Sequence, residues 1–164
     1  MVTSRKSSAP RTPAQPKAQE ATAMLRADHK KVSALFEAYE KSRSVARKTA
    51  LVEEICQELT VHAQLEEEIF YPAIKQALKD KELVPEATVE HASVKDLIAQ
   101  VRGKVPDGEM FDAKVKVMSE WVKHHVKEEQ NEMFPRAKKS RLDLMALGAA
   151  MLARKQELLA DPAG

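Results

Sequence analysis

Two stretches of the chain, HAQLEEEIFYP from His62 to Pro72 and HVKEEQNEMFP from His125 to Pro135, align without a gap at an offset of 63 residues. In each, a glutamate follows the histidine by four positions, and the stretch closes on Phe or Met, an aromatic residue and proline. Two lone histidines, His29 and His91, precede these stretches and lie 62 residues apart. A chain that repeats itself over such a distance is built from two copies of one supersecondary unit. Each copy here carries a lone histidine and then an HxxxE pair, so the chain reads as two helical hairpins related by a pseudo-two-fold axis.

The apolar spacing fills in the helices. Leu25, His29, Val32, Phe36 and Tyr39 recur at three and four, which predicts a first helix from Glu20 to about Lys41. Ser44 suits the cap of a second, whose inner face is Val52, Ile55, Leu59, His62, Glu66, Ile69 and Ala73, with a kink or break expected at Pro72. Pro85 suits the first turn of a third, striped by His91, Val94, Ile98 and Val101 and ended before Gly103. A fourth helix carries Phe111, Val115, Met118, Trp121, Val122, His125, Glu129 and Met133. Sparse glycine and abundant Ala, Leu, Glu and Lys agree with an all-α class. Four such helices on short loops predict an up-and-down four-helix bundle. A fifth helix is expected to open at Ser140, with Asp143 as a weak capping partner, and to cap the bundle end, pair with another subunit or pack on its own domain.

Residues 1–19 carry Arg5, Lys6, Arg11 and Lys17 without an acid, interleaved with prolines, and are expected to be a disordered basic tail. The expected organisation is thus a tail over 1–19, a bundle over 20–139 and a C-terminal helix with a short tail over 140–164. The whole chain is +2 and the tail alone is +4, so the rest sums to −2, and no nucleic acid is expected as a partner of the folded core. The longest apolar run, Leu144 to Ala153, is too short to cross a bilayer, and no membrane association is expected. Cys56, the lone cysteine, is expected to serve packing in a reducing, cytoplasmic setting.

On a helix, positions i and i+4 project to one side. Each HxxxE therefore offers an imidazole and a carboxylate toward the bundle axis, and His29, His62, Glu66, His91, His125 and Glu129 converge as candidate metal ligands. Buried without a cation, these polar groups would cost several kcal/mol in total. Four imidazoles and two carboxylates can hold two divalent metals, and mixed N/O ligation suits iron or manganese better than the sulfur-rich structural zinc sites. A second register, His124 with Glu128, also fits HxxxE in the fourth helix. His125 is preferred because it keeps the ten-residue distance to proline and shares a face with Met118, Trp121 and Val122.

Over about residues 22–137 this pattern resembles the hemerythrin-like, or HHE cation-binding, family. The resemblance implies a four-helix bundle around two iron ions with an oxo or hydroxo bridge, His29 and His62 on one iron, His91 and His125 on the other, and Glu66 and Glu129 bridging. It also implies a place for Trp121 in the wall of an oxygen pocket, beside the plainer reading of Trp121 as core. The chain departs from the oxygen carriers at Lys95 and Gln130, where they have a histidine and an aspartate. The His91–His125 iron is therefore expected to lack a ligand, with Tyr71 and Glu90 as candidate replacements. The implied activity is that of a di-iron oxidoreductase binding or reducing a small oxidant such as O2, nitric oxide or hydrogen peroxide, with an unidentified redox partner, in stress defence or iron handling. The alternatives are an iron- or oxygen-sensing module that acts through a protein partner and a metal-free helical interaction bundle.

Overall fold

The computed structural model describes residues 17–160, so the reading of 1–19 as a tail lies almost wholly outside the described residues. Helix α1 (Ala21–Lys41) is followed by α2 (Val45–Leu65), which passes through a π-helical turn, Glu66–Phe70, into α3 (Tyr71–Leu78). The second half repeats this order: α4 (Leu83–Val101), α5 (Glu109–Glu128), a π-helical turn Glu129–Met133 and α6 (Phe134–Lys139). The last helix is α7 (Leu144–Ala160), and no strand occurs among the described residues. Helix α1 packs on α2 and α5, and α4 packs on α5 and α2, which makes the expected all-α four-helix bundle with one additional helix.

Local chemistry sets most of the ends. Ser44 Oγ accepts the Arg47 N–H at 3.3 Å and starts α2. Gly103 follows α4 at φ +71° and Gly108 precedes α5 at φ +113°, backbone conformations open to glycine. The fifth helix does not open at Ser140. Ser140 closes α6, its hydroxyl donating to the Ala137 carbonyl at 2.6 Å, and Asp143 caps α7 by accepting the Ala146 N–H at 3.0 Å.

The break expected at Pro72 is also not found, because the helix passes through both repeat prolines. Proline has no N–H, and its ring collides with the carbonyl four residues back in a regular α-helix. Just before each proline the turn widens by one residue: the Tyr71 N–H donates to the Glu66 carbonyl and the Phe134 N–H to the Glu129 carbonyl. Each π turn starts at a glutamate of an HxxxE pair, and it brings the residue five positions on back toward that glutamate's face.

The core has two halves. One, around Leu25, Leu65, Phe70, Ile74, Phe134 and Met151, gathers the π turns and α7; the other packs Val32, Phe36, Ile55, Cys56, Ile98 and Met118. Burial pushes the Cys56 thiol up to about 11, so it stays protonated and serves packing. None of the described helices is long and apolar enough to cross a membrane.

Helix α7 packs on its own domain, against α1, α2 and the first π turn. Gly148 makes this docking possible, since a Cβ there would lie 1.9 Å from the Gln19 carbonyl oxygen, a backbone atom that cannot swing aside. Gly148→Ala is expected to cost about 2–3 kcal/mol through this overlap. Thermal melting should show a drop of several degrees; an unchanged midpoint would mean that α7 does not lie on the start of α1.

Candidate metal centre

Helices α1, α2, α4 and α5 each contribute one histidine to a single point on the bundle axis, and the two π turns contribute the carboxylates. All six of the expected residues are buried there. They form two lobes. His29 and His62 meet Nε2 to Nε2 at 3.2 Å, and His91 and His125 do the same at 3.2 Å. Glu66 Oε1 stands 3.1 Å from His62 Nε2 and 3.3 Å from His91 Nε2, while Glu129 reaches His29 with Oε1 and His125 with Oε2, each at 3.2 Å. Each carboxylate thus touches both lobes.

Every imidazole turns Nε2 inward and Nδ1 outward to an oxygen. His62 Nδ1 faces Asp28 Oδ2 at 3.0 Å, His125 Nδ1 faces Glu90 Oε1 at 3.1 Å, His29 Nδ1 faces Gln130 Oε1 at 2.8 Å, and His91 Nδ1 lies 3.5 Å from Glu67 Oε1. The acceptors behind His29, His62 and His125 hold a proton on Nδ1 and turn Nε2 toward the centre, whereas His91 Nδ1 has no hydrogen bond. Asp28 and Glu67 are not among the residues expected from the sequence, yet a signal for them is present. An acid immediately precedes each lone histidine, Asp28-His29 and Glu90-His91, and a polar acceptor immediately follows each inner glutamate, Glu66-Glu67 and Glu129-Gln130. These outer residues obey the same repeat as the inner ones. Asp28 is fixed in turn by Lys155 of α7, whose Nζ lies 2.9 Å from its Oδ1.

The repeat is broken at one inner position. Tyr71 donates its hydroxyl to Glu129 Oε2 at 2.6 Å and lies 3.3 Å from His91 Nε2 and 3.2 Å from His125 Nε2. Its counterpart Phe134 stacks on His29, ring centroids 6.0 Å apart and planes 2° from parallel. The phenol oxygen therefore occupies the lobe that Lys95 and Gln130 were expected to leave short of a group. Neither of those two enters the centre. Lys95 pairs with Glu67 at 2.7 Å, and Gln130 backs His29 in the other lobe. Glu90 stands behind His125 instead of inside the centre. His124 is exposed and lies between Glu90 and Glu128, so geometry separates it from the inner cluster.

Trp121 lines no pocket at the centre. It is 42% exposed and sets its ring edge-on to His124. The wall next to the histidines is aliphatic: a cavity of about 150 Å³ touches all four imidazoles and is lined by Val32, Leu59, Ala63, Val94, Ile98, Val122 and Val126. Thr60 turns its hydroxyl to the Cys56 carbonyl at 2.7 Å, and Asp28 and Lys95 also line the cavity.

The donor set fits metal cations. With neutral imidazoles protonated on Nδ1, the inner Nε2 atoms are acceptors facing acceptors, and Glu66 Oε1, Glu66 Oε2, Glu129 Oε1 and His91 Nδ1 are buried without a hydrogen bond. Only positive charge relieves such a cluster. Burial alone would lower the histidines, but Glu66 and Asp28 override it and push His62 up to about 10, and Glu129, Glu66 and Glu90 push His125 up to about 12. Glu66 resists the upward pull of burial and lies well below the usual carboxylate range because of the imidazoles around it. Burial raises the Tyr71 phenol well above its ordinary value, with Glu66 and Glu129 adding to it.

Comparison with known proteins agrees with this geometry. The family model of the hemerythrin HHE cation-binding domain matches residues 20–137. A curated relative from Nostoc sp., named as a DNA nickase, is 28% identical over 111 residues, 68% of this chain and 31% of that protein. The chain therefore spans about a third of that relative's length. The crystal structure of a hemerythrin HHE cation-binding domain-containing protein from Mycobacterium kansasii superposes with a TM-score of 0.72 at 24% identity, covering 85% of this chain and 86% of that one. At that identity the likeness concerns the fold.

Proposed function

The chain belongs to the hemerythrin HHE cation-binding domain family, and from that premise we propose that it is a di-iron protein that binds or reduces a small oxidant. In this reading His29 and His62 hold one iron, His91 and His125 hold the other, and Glu66 and Glu129 bridge. The observation that carries it is the apolar cavity of about 150 Å³ against all four imidazoles. It has room for O2, nitric oxide or hydrogen peroxide, and its wall beside the imidazoles is mainly aliphatic, which suits a small, weakly polar ligand. Two irons would supply two electrons, the number that takes peroxide to two waters. The chain's own residues orient Nε2 of His29, His62 and His125 toward the centre through the outer acceptors, line one side of it with aliphatic groups and hold a proton on Tyr71 Oη beside Glu129.

A second reading, a binding module acting through a polyanionic partner such as DNA, is favoured by one feature. Lys75, Lys79 and Lys81 around the end of α3, with Arg136, Lys138, Lys139 and Arg141 around the end of α6, are exposed and form no ion pair among the described residues. The Nostoc relative's name points the same way, over a third of that protein's length.

Protein produced in iron-rich medium is expected to carry about two irons per chain, because two lobes of separate imidazoles cannot close on one ion at ordinary coordination. The reduced protein should then consume at least one of the three oxidants. Metal analysis and stopped-flow absorbance check this. One iron per chain, or zinc in place of iron, would count against the di-iron centre. Two irons inert to all three oxidants, in a protein that retains duplex DNA at low salt, would favour the second reading.

A further inference from the structure

The HxxxE pair that the centre does not use, His124 and Glu128, faces outward on α5, and Glu90 of α4 reaches it. His124 Nε2 lies 3.4 Å from Glu90 Oε2 and 3.3 Å from Glu128 Oε1. The three donor atoms are mutually within 4.8 Å, a span that one divalent cation can bridge. The Glu90 carboxylate is shared, since its other oxygen, Oε1, receives the Nδ1–H of the buried His125 at 3.1 Å.

A second observation ties this cluster to the interior. A narrow cleft of about 10 Å³ is bordered by Glu90 and Glu128 outside, by Leu83 and Ala87 along the wall, and by His125 and Glu129 inside. That volume is about one water molecule, enough for a bare cation and too small for a hydrated one. Glu129, at the inner end, is buried, with its Oε2 toward Tyr71 and His125 and its Oε1 toward His29. A cation leaving the outer carboxylates thus meets the Glu129 carboxylate of the centre next.

We propose that Glu90, His124 and Glu128 form a surface site for divalent cations, ferrous iron above all, from which metal enters the buried centre past Glu129. The loading role rests on the di-iron reading; the surface site itself does not. One imidazole and two carboxylates leave several positions to water, which makes the site weak and exchangeable, as a loading station must be. Glu128 is exposed and on a flexible stem, so it can swing inward with the cation, while Glu90 keeps one oxygen on His125. Negative charge at the mouth raises the local cation concentration and with it the rate of capture.

Trp121, the only tryptophan, stacks edge-on to His124 at 6.4 Å and supplies the probe. Titrating the metal-free protein with Co2+ is expected to quench its fluorescence in His125→Ala, whose inner centre is impaired, and to leave it bright in the His124→Ala, His125→Ala double variant. Under anaerobic conditions, uptake of ferrous iron by the His124→Ala, Glu128→Gln double variant should be about tenfold slower than by wild type, with the same final iron content. Both substitutions lie on exposed side chains, so folding is not at stake. Equal quenching with and without His124, or equal uptake rates, would overturn the proposal. A wild type that never fills the buried centre while His124-dependent quenching persists would refute the di-iron reading and the loading role, and leave the surface site standing.

Discussion

His125→Ala is expected to reduce the metal content from about two ions per chain to one or none, whereas His124→Ala, one residue away, keeps it at two. The two histidines are adjacent in sequence and both begin an HxxxE, but only His125 turns Nε2 toward the centre, 3.2 Å from His91 Nε2 and 3.2 Å from Glu129 Oε2. Removing it leaves Glu66 and Glu129 in a buried site with less positive charge to face. Breaking a buried charged cluster on one side costs about 3–5 kcal/mol, and lost metal binding adds to that because binding free energy is folding free energy for ligands that would otherwise be unpaired. His124 is more than half exposed, and its loss should change stability by roughly 0.5 kcal/mol or less. Metal analysis and melting of the two variants side by side check the pair of outcomes. Full metal content in His125→Ala, or its loss in His124→Ala, would move the fourth-helix ligands to His124 and Glu128 and break the agreement between the two repeats.

The register of the fourth helix is legible in the sequence because of the spacing to proline. His62 and His125 both precede a proline by ten residues, and the structure gives this distance a cause: each HxxxE glutamate opens a π turn that the proline requires. The π turn itself is not legible. Proline rules assume a regular α-helix and therefore predict a kink, and nothing local distinguishes a widened turn from a broken one. The consequence falls on Tyr71, which a regular helical phase carries off the glutamate face and the π turn returns to it.

Other departures from expectation have equally local reasons. Ser140 and Asp143 both suit a helix cap, and the choice between them depends on where α6 ends, which Ser140 itself determines. Trp121 lies one turn before His125, but the inner line of α5 runs through Val115, Met118 and Val122, and Trp121 sits on its flank, open to solvent. Asp28 and Glu67 are hard to single out because an acid on an amphipathic helix usually means a solvated face. Their role becomes visible only when the repeat is extended by one residue on either side of the inner ligands, to Asp28-His29 with Glu90-His91 and to Glu66-Glu67 with Glu129-Gln130.

The single inner position at which the repeats differ makes the sharpest test of how the two lobes divide the work. Tyr71 lays its hydroxyl within 3.3 Å of both imidazoles of the His91–His125 lobe, and Phe134 lays a bare ring against His29 in the other. Tyr71→Phe makes the lobes alike. It removes a buried hydrogen bond to a carboxylate, the 2.6 Å contact with Glu129 Oε2, which is worth about 1.5–3 kcal/mol. It leaves all six inner histidine and glutamate side chains in place, so iron content should stay near two per chain. If the phenol oxygen serves as a ligand to ferric iron, the oxidised wild type shows a visible phenolate-to-iron charge-transfer band that Tyr71→Phe abolishes, and the reactivity of the protein toward peroxide changes by about tenfold or more through the loss of that donor and its proton. Phe134→Tyr should have the opposite sense, placing a second phenol over His29 and disturbing the stack there. Absorption spectra of the oxidised variants at equal iron content decide the matter. An oxidised wild type without the band, or a band that survives in Tyr71→Phe, would restrict Tyr71 to holding Glu129, and the two lobes would then differ in shape alone, with no difference in ligand chemistry between them.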